Sequence, residues 1–413
     1  MNFFSRHKKI FLITGFIIII FFLAYLIWRL FFQAAITVAP GTPAEETSGN
    51  LPSAGLNDGL NATSTNPSNL PSSGGITQAG STNTPNILAV GGLTKTESVT
   101  TSRTLGSTAS GKGGIQYYNQ DDGRFYRIGK NGEITKLSDK VFYDVDNVTW
   151  SPDKNKAIIE YPDGNKIYYN FENKKQVTLP SYWEDFSFSP DSTQITAKSL
   201  GLDKENRWLS VSSADGSNVQ NLENIGDNEA TVYPSWSPNK QIVAMYTKGV
   251  DFDRQNVYFV GLNGENFKST LVEGRGFEAQ WSTSGEKLLY SVYSTSNNLN
   301  PKLWIVDSAG DTIGANRTSL GLNTWASKCT FASDSEIYCA VPETLTKGSG
   351  LFPELADNTK DNLYKINLKT GAQELIAVPD GTYNISQVMV PENDNYLYFT
   401  DKKTNQIYKV RLR

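Results

Sequence analysis

The sequence predicts an all-β, seven-bladed β-propeller, with six blades as the alternative, preceded by one transmembrane helix and a disordered linker. Three observations predict the ring. First, a phrase recurs: VTWSPDKNKAIIEY from Val148, FSFSPDSTQITAKS from Phe186, PSWSPNKQIVAMYT from Pro234 and AQWSTSGEKLLYSV from Ala279. Degenerate copies follow from Cys329 and Val388, and the anchors Trp150, Phe188, Trp236, Trp281, Phe331 and Val390 are 38, 48, 45, 50 and 59 residues apart. Short strands repeating every 40–50 residues or so are the mark of a propeller, one repeat to a blade. Second, an apolar strand recurs after each copy, as in Val257-Tyr258-Phe259-Val260 and Leu303-Trp304-Ile305-Val306. Third, residues 115–138 carry second, third and fourth strands without a recognisable first, while the C-terminus carries first, second and third and stops at Arg413. The two ends are therefore expected to meet.

Residues 1–9 form a short basic tail with Arg6, Lys8 and Lys9. Ile10–Trp28 is uncharged and followed by Arg29 and Leu30-Phe31-Phe32, so residues 10–32 read as a signal anchor. A cleaved signal peptide is the alternative, but its apolar region is shorter, and bulky Phe31-Phe32 sits where a peptidase needs small residues. The basic flank puts the N-terminus in the cytoplasm and the propeller outside, at the cell membrane. Residues 33–112 are dominated by Ser, Thr, Gly, Pro and Asn and are expected to be a disordered linker. As a coil, such a segment reaches about 45–50 Å. Within it, Asn86–Val90 is strand-like enough to add an edge strand to a terminal blade. The propeller is expected over 113–413.

Inside each copy the first strand alternates, so Val148 and Trp150, Phe186 and Phe188, and Ala279 and Trp281 share a face toward the neighbouring blade. The residues between, such as Thr149, Ser187 and Ser235, are small and polar, which suits a crowded axis. Ser-Pro-Asp then turns the chain: Pro presets the backbone and Asp or Asn caps the turn.

These WSPDK, FSPDS and WSPNK copies resemble the repeats of TolB-like, WD-like propellers, which also occur in the propeller domains of prolyl oligopeptidase relatives. The resemblance covers roughly 113–413 and departs at Phe331 and Val390, where the Trp and the Ser-Pro are lost. It implies the fold and, for function, a structural assembly factor of envelope machinery.

The residue inventory narrows the chemistry. The one histidine is His7, so the propeller has no His general base, catalytic triad or His-ligated metal. No phosphate loop, dinucleotide fingerprint or calcium-loop spacing is present, and no cofactor or metal is expected. Beyond residue 38 the chain has 34 Lys and Arg against 42 Asp and Glu, a net charge of −8, which argues against nucleic acid. Cys329 and Cys339 lie five residues either side of Asp334. A hairpin turning there sets them opposite each other, and a disulfide is expected over two free thiols.

The leading functional expectation is a membrane-tethered, non-catalytic module that binds a protein, peptide or envelope polymer. Alternatives are a carboxylate-based glycoside hydrolase or lyase and the assembly factor. Propellers bind at one mouth of the ring, near the starts of the inner strands. Asn147, Asp185, Tyr233, Glu278, Lys328 and Gln387 stand three residues before each anchor, and Asp146, Trp183, Glu184 and Phe277 lie next to them. The expected ligand site is Asp146, Trp183, Glu184, Asp185, Tyr233, Phe277 and Glu278. This is an acidic mouth with aromatic walls, suited to a cationic ligand.

Overall fold

The computed structural model describes residues 20–23, 25, 84–111 and 113–413. Seven antiparallel sheets follow one another along the chain. Blade 1 is Thr104–Ala109, Ile115–Asn119, Arg124–Ile128 and Ile134–Lys136; blade 2 is Asn147–Trp150, Lys156–Glu160, Lys166–Asn170 and Gln176–Leu179. Blade 3 runs from Trp183–Phe188 to Gln220–Asn224, blade 4 from Val232–Pro234 to Thr270–Val272, and blade 5 from Arg275–Trp281 to Thr318–Ser319. Blade 6 runs from Cys329–Ser333 to Gln373–Pro379, and blade 7 takes its three inner strands from Ile385–Met389, Tyr396–Asp401 and Ile407–Arg411. The count is seven.

The seventh blade is completed from the other end of the chain. Glu97–Ser98 pairs antiparallel with Ile407–Arg411, Glu97 opposite Lys409, and supplies the missing outer strand. Leu93–Thr94 adds a fifth, parallel strand to blade 6, and Leu88 bridges Arg411. The strand-bearing chain thus begins well before residue 113. The part of the expected linker from 84 to 111 is built into the ring, because these residues satisfy the open edges of the last two blades. The inner strand of blade 1 was invisible to pattern reading because Thr104–Ala109, TLGSTA, has no apolar alternation. Gly106 is required there: its φ is +57°, and a Cβ would lie 2.6 Å from the Val148 Cβ of blade 2. Across the same seam the Trp150 indole N–H donates to the Gly106 carbonyl at 2.6 Å.

The small polar residues of the inner strands have similar work. Ser187 Oγ accepts from the Trp236 backbone N–H, and Ser235 Oγ from the Trp281 indole, each link joining successive blades. The Ser-Pro-Asp turns form a belt around the opposite end of the ring. Ser192 accepts from the Asp153 N–H, Asp191 pairs with Lys240, Asn239 donates to the Gly285 carbonyl, and Asp334 accepts from the Ser284 N–H. Lys240, Thr193 and Ser189 together hold the Asp191 carboxyl well below the usual carboxylate range. The recurring phrase therefore marks ring construction and carries no functional information.

The expected membrane anchor is corrected. Among the described residues no helix is long and apolar enough to cross a membrane. Of the expected span only residues 20–23 and 25 are described, as helix; the tail 1–9, the rest of the span and the linker to residue 83 lie outside the described residues. The single-pass localisation rested on that span and loses its support.

Candidate functional site

In an antiparallel four-stranded blade the inner strand starts at the same end as the loop between the second and third strands and the connection to the next blade. That end is the mouth. Its longest loop is 343–360 of blade 6, which leans on blade 5. Gly348 and Gly350 donate to the Asn298 and Leu299 carbonyls, and Ser349 to the Asn300 side chain. Its 3-10 turn Pro353–Ala356 then walls a cleft over blades 4 to 7.

The cleft has two confluent parts that share Glu278, Trp325 and Pro353. One, of about 200 Å³, is lined also by Ser327, Asp357, Asn384 and Lys402; the other, of about 310 Å³, by Tyr233, Phe277, Tyr293 and Leu351. Beneath it Lys328 Nζ binds both Asp361 oxygens at 3.0 and 2.9 Å, and Asp361 also accepts from the Ile385 N–H at 2.6 Å. Burial raises the Asp361 carboxyl above its usual value against the lowering pull of Lys328. Lys402 pairs with Asp357 at 2.5 Å. Glu278 accepts from Ser327 Oγ at 2.9 Å, and among the described residues no Lys or Arg pairs with it. The cleft therefore offers one uncompensated carboxylate beside an indole.

Of the seven residues expected at the mouth, the structure brings three together: Tyr233, Phe277 and Glu278, with the Tyr233 and Phe277 rings 6.0 Å apart. Asp146, Glu184 and Asp185 sit on blades 2 and 3, outside this cleft. There Glu160 is pushed up mainly by burial, with Asp185 and Asp146 adding to the shift and Asn147 and Lys166 opposing it. Asp185 is already neutralised by Lys198. The aromatic walls are corrected: Trp183 is 3% exposed and Phe277 5%, both in cores between blades. Phe277 shares the face of Ala279 and Trp281 and packs with them; for Trp183 the reason is a register shift in its inner strand, between Glu184 and Ser187, at Asp185 with φ of 53°. A bulge breaks the two-residue alternation and turns the aromatic inward.

Lys328 and Gln387, expected at strand starts, are structural. Lys328 is the buried partner of Asp361, and Gln387 accepts from Ser107 Oγ at 3.1 Å across the blade 7–blade 1 seam. Sequence reasoning missed Trp325, Ser327, Asp357, Asn384 and Lys402. The available signal was the length of 343–360 between two apolar strands. Among the described residues no group of three or more His, Cys, Asp or Glu is placed to hold a metal ion.

Cys329 and Cys339 are disulfide-bonded, directly opposed across the first hairpin of blade 6 with Cα atoms 4.0 Å apart. The bond starts where the short turn Ala326–Lys328 ends, and that turn carries Ser327 into the cleft. Replacing both cysteines by Ala is expected to lower unfolding stability in urea by about 2–3 kcal/mol, the loop-entropy value for so short a loop. Mass spectrometry of the unreduced, alkylated protein checks the premise; two labelled thiols would overturn it.

No protein-family model matches the chain, and no curated protein matches it. Solved structures similar to it include a prolyl endopeptidase (16% identity, 76% of this chain and 49% of that one, TM-score 0.50). Others are the propeller domain of the trilobed protease of Pyrococcus furiosus (14%, 75% and 95%, TM-score 0.48) and an oligogalacturonate lyase in complex with manganese (13%, 77% and 90%, TM-score 0.48). The chain spans about half of the endopeptidase. At these identities the likeness is one of fold.

Proposed function

We propose that the propeller is a non-catalytic binding module whose mouth takes a cationic, partly apolar segment of a protein or peptide. The observation that carries this reading is the asymmetry between the two ends of the ring. The loops at the mouth hold sixteen Asp and Glu against eight Lys and Arg; the described loops at the other end hold eleven against eight. Tyr143, Tyr182, Leu202, Phe252, Leu351, Phe352 and Leu355 are exposed on mouth loops, whereas the described segments opposite expose Val219 and, beside Arg411, Ile87 and Leu88. Apolar side chains gathered on one face mark an interaction surface, and the acidic field around them selects positive partners.

Against catalysis stands the inventory. No histidine follows His7 in the sequence. A two-carboxylate mechanism needs both groups free to act, yet Asp357, the second carboxylate of the cleft, is held by Lys402.

Calorimetric titration of the full chain with a Lys/Leu/Phe-containing peptide and its Glu-substituted counterpart tests the proposal. The basic peptide is expected to bind and the acidic one not. Glu278→Gln should weaken binding about tenfold and flatten its salt dependence. Asp185→Asn should change it less than about twofold, because Lys198 already compensates that charge. Equal binding of the two peptides, or no effect of Glu278→Gln, sinks the reading.

A further inference from the structure

Apart from the cleft over blades 4 to 7, a second opening lies in the seam between blades 3 and 4, walled toward the mouth by Ile225, Asn228 and Thr231. Several blades fill the seam toward the preceding blade with an aromatic pair on facing positions of the second and third strands. Tyr117 pairs with Tyr126 in blade 1, Tyr290 with Trp304 in blade 5, and Phe399 with Tyr408 in blade 7. The second-strand member is 4%, 0% and 0% exposed respectively. Blade 4 carries the same device, Tyr246 opposite Tyr258, with ring centroids 4.6 Å apart and planes within 8°. Here Tyr246 is 37% exposed.

Blade 3 fails to cover the pair. It presents Leu209 and Glu223, which face each other across its outer hairpin next to a register shift, with no aromatic among them. The seam core accordingly splits into two small clusters, one around Leu209, Ile225 and Val232 and one around Val211, Trp236 and Val243. Two grooves of about 440 and 330 Å³ are left, meeting at Glu223, Tyr246, Tyr258 and Val260. Both volumes fall in the range of small-ligand sites.

The polar groups around the tyrosines are uncommitted. No hydrogen bond or ion pair among the described residues engages the hydroxyls of Tyr246 and Tyr258, the Glu223 carboxylate or the Lys248 ammonium. The groove thus combines a flat apolar surface, acceptors and donors, with one charge of each sign. We infer that this seam binds a neutral saccharide, one ring face lying on the tyrosine pair and its hydroxyls meeting Glu223, Lys248 and the phenols. A single-stranded nucleic acid would also stack, but it needs a basic track for its phosphates, and Lys248 is offset by Glu223. A planar apolar ligand would leave those charged groups unpaired.

Titration of the full chain with neutral malto-, cello- and chito-oligosaccharides, followed by calorimetry and tyrosine fluorescence, tests the inference. At least one series is expected to saturate. Tyr246→Ala should weaken it about tenfold or more, while Tyr246→Phe, which keeps the stack, should cost only a few-fold. Glu278→Gln in the mouth should leave saccharide affinity unchanged, which separates this site from the one proposed above. If Tyr246→Ala does not fold, the double variant Glu223→Gln with Lys248→Ala takes its place and should lose binding to the same degree. Absence of binding by every series, tighter binding of oligothymidylate or of indole, or full affinity in Tyr246→Ala overturns the inference.

Discussion

A chain truncated to begin at residue 102 is expected to lose on the order of 5 kcal/mol of unfolding stability, a large part of what a domain possesses. The removed segment closes the ring. Val99 N–H donates to the Ile407 carbonyl at 2.9 Å, Ala89 N–H to Arg411, Gly91 N–H to Ile376, and Val378 and Asp380 N–H return to Gly92 and Thr94. Ile407 N–H donates to Thr100 Oγ1, Thr96 N–H to Asp380, and Lys409 pairs with Glu97. At about 0.5–1.5 kcal/mol for each bond, these contacts alone reach the expected figure. Truncation also bares the edge of Ile407–Arg411, an open template for pairing with another chain. Urea unfolding should show a lower midpoint, and light scattering should show association. A circular permutant carrying residues 84–101 after Arg413 should recover both, because blade 7 then becomes a continuous four-stranded meander. An unchanged midpoint in the truncated chain would mean that blade 7 closes the ring with three strands.

The closing strand also shows where sequence reading stops. The repeat and its turns were legible because Trp, Ser-Pro and Asp recur at positions fixed by blade geometry, and with them came the count of seven and the facing pair Cys329 and Cys339. Glu97–Ser98 was not legible: two residues paired with a strand some 310 positions away leave no periodic trace. Thr104–Ala109 was missed for the opposite reason. Its residues are dictated by the axis and by Val148, not by an apolar face. At the mouth, counting three residues before each anchor reaches Tyr233 and Glu278, which line the cleft, whereas Trp183 is buried, since a bulge at Asp185 reverses which side the residue faces. The cleft itself is made mostly by a loop, 343–360, and by the turn before Cys329. Neither has a pattern that ties its side chains to a place in space.

The other large effect is expected at the floor of that cleft. Asp361 is fully buried, Lys328 is nearly so, and the pair joins three strand starts: Lys328 precedes the inner strand of blade 6, Asp361 opens its third strand, and Ile385 opens the inner strand of blade 7. Asp361→Ala removes the acceptor from both partners. It strands a buried ammonium over the Trp325 ring, 5.5 Å from its centroid, and an unpaired Ile385 N–H. Breaking a buried pair from one side costs about 3–5 kcal/mol, the larger part being the charge left behind. Lys328→Met combined with Asp361→Asn should cost clearly less, because no charge remains buried and the Asn carbonyl still accepts from Ile385. The parent chain, Lys328→Met, Asp361→Asn and the double variant form a double-mutant cycle, read by urea unfolding. A positive coupling of more than about 1 kcal/mol is expected, and a loss under about 1 kcal/mol in Asp361→Ala would show that water enters and solvates Lys328. The double variant also divides structure from recognition. Since Lys328 is committed to Asp361, the basic peptide should bind it about as well as the parent chain, whereas Glu278→Gln loses binding at full stability. Loss of peptide affinity in the stable double variant would mean that the mouth reads the Lys328–Asp361 pair through Trp325 and not the Glu278 carboxylate alone.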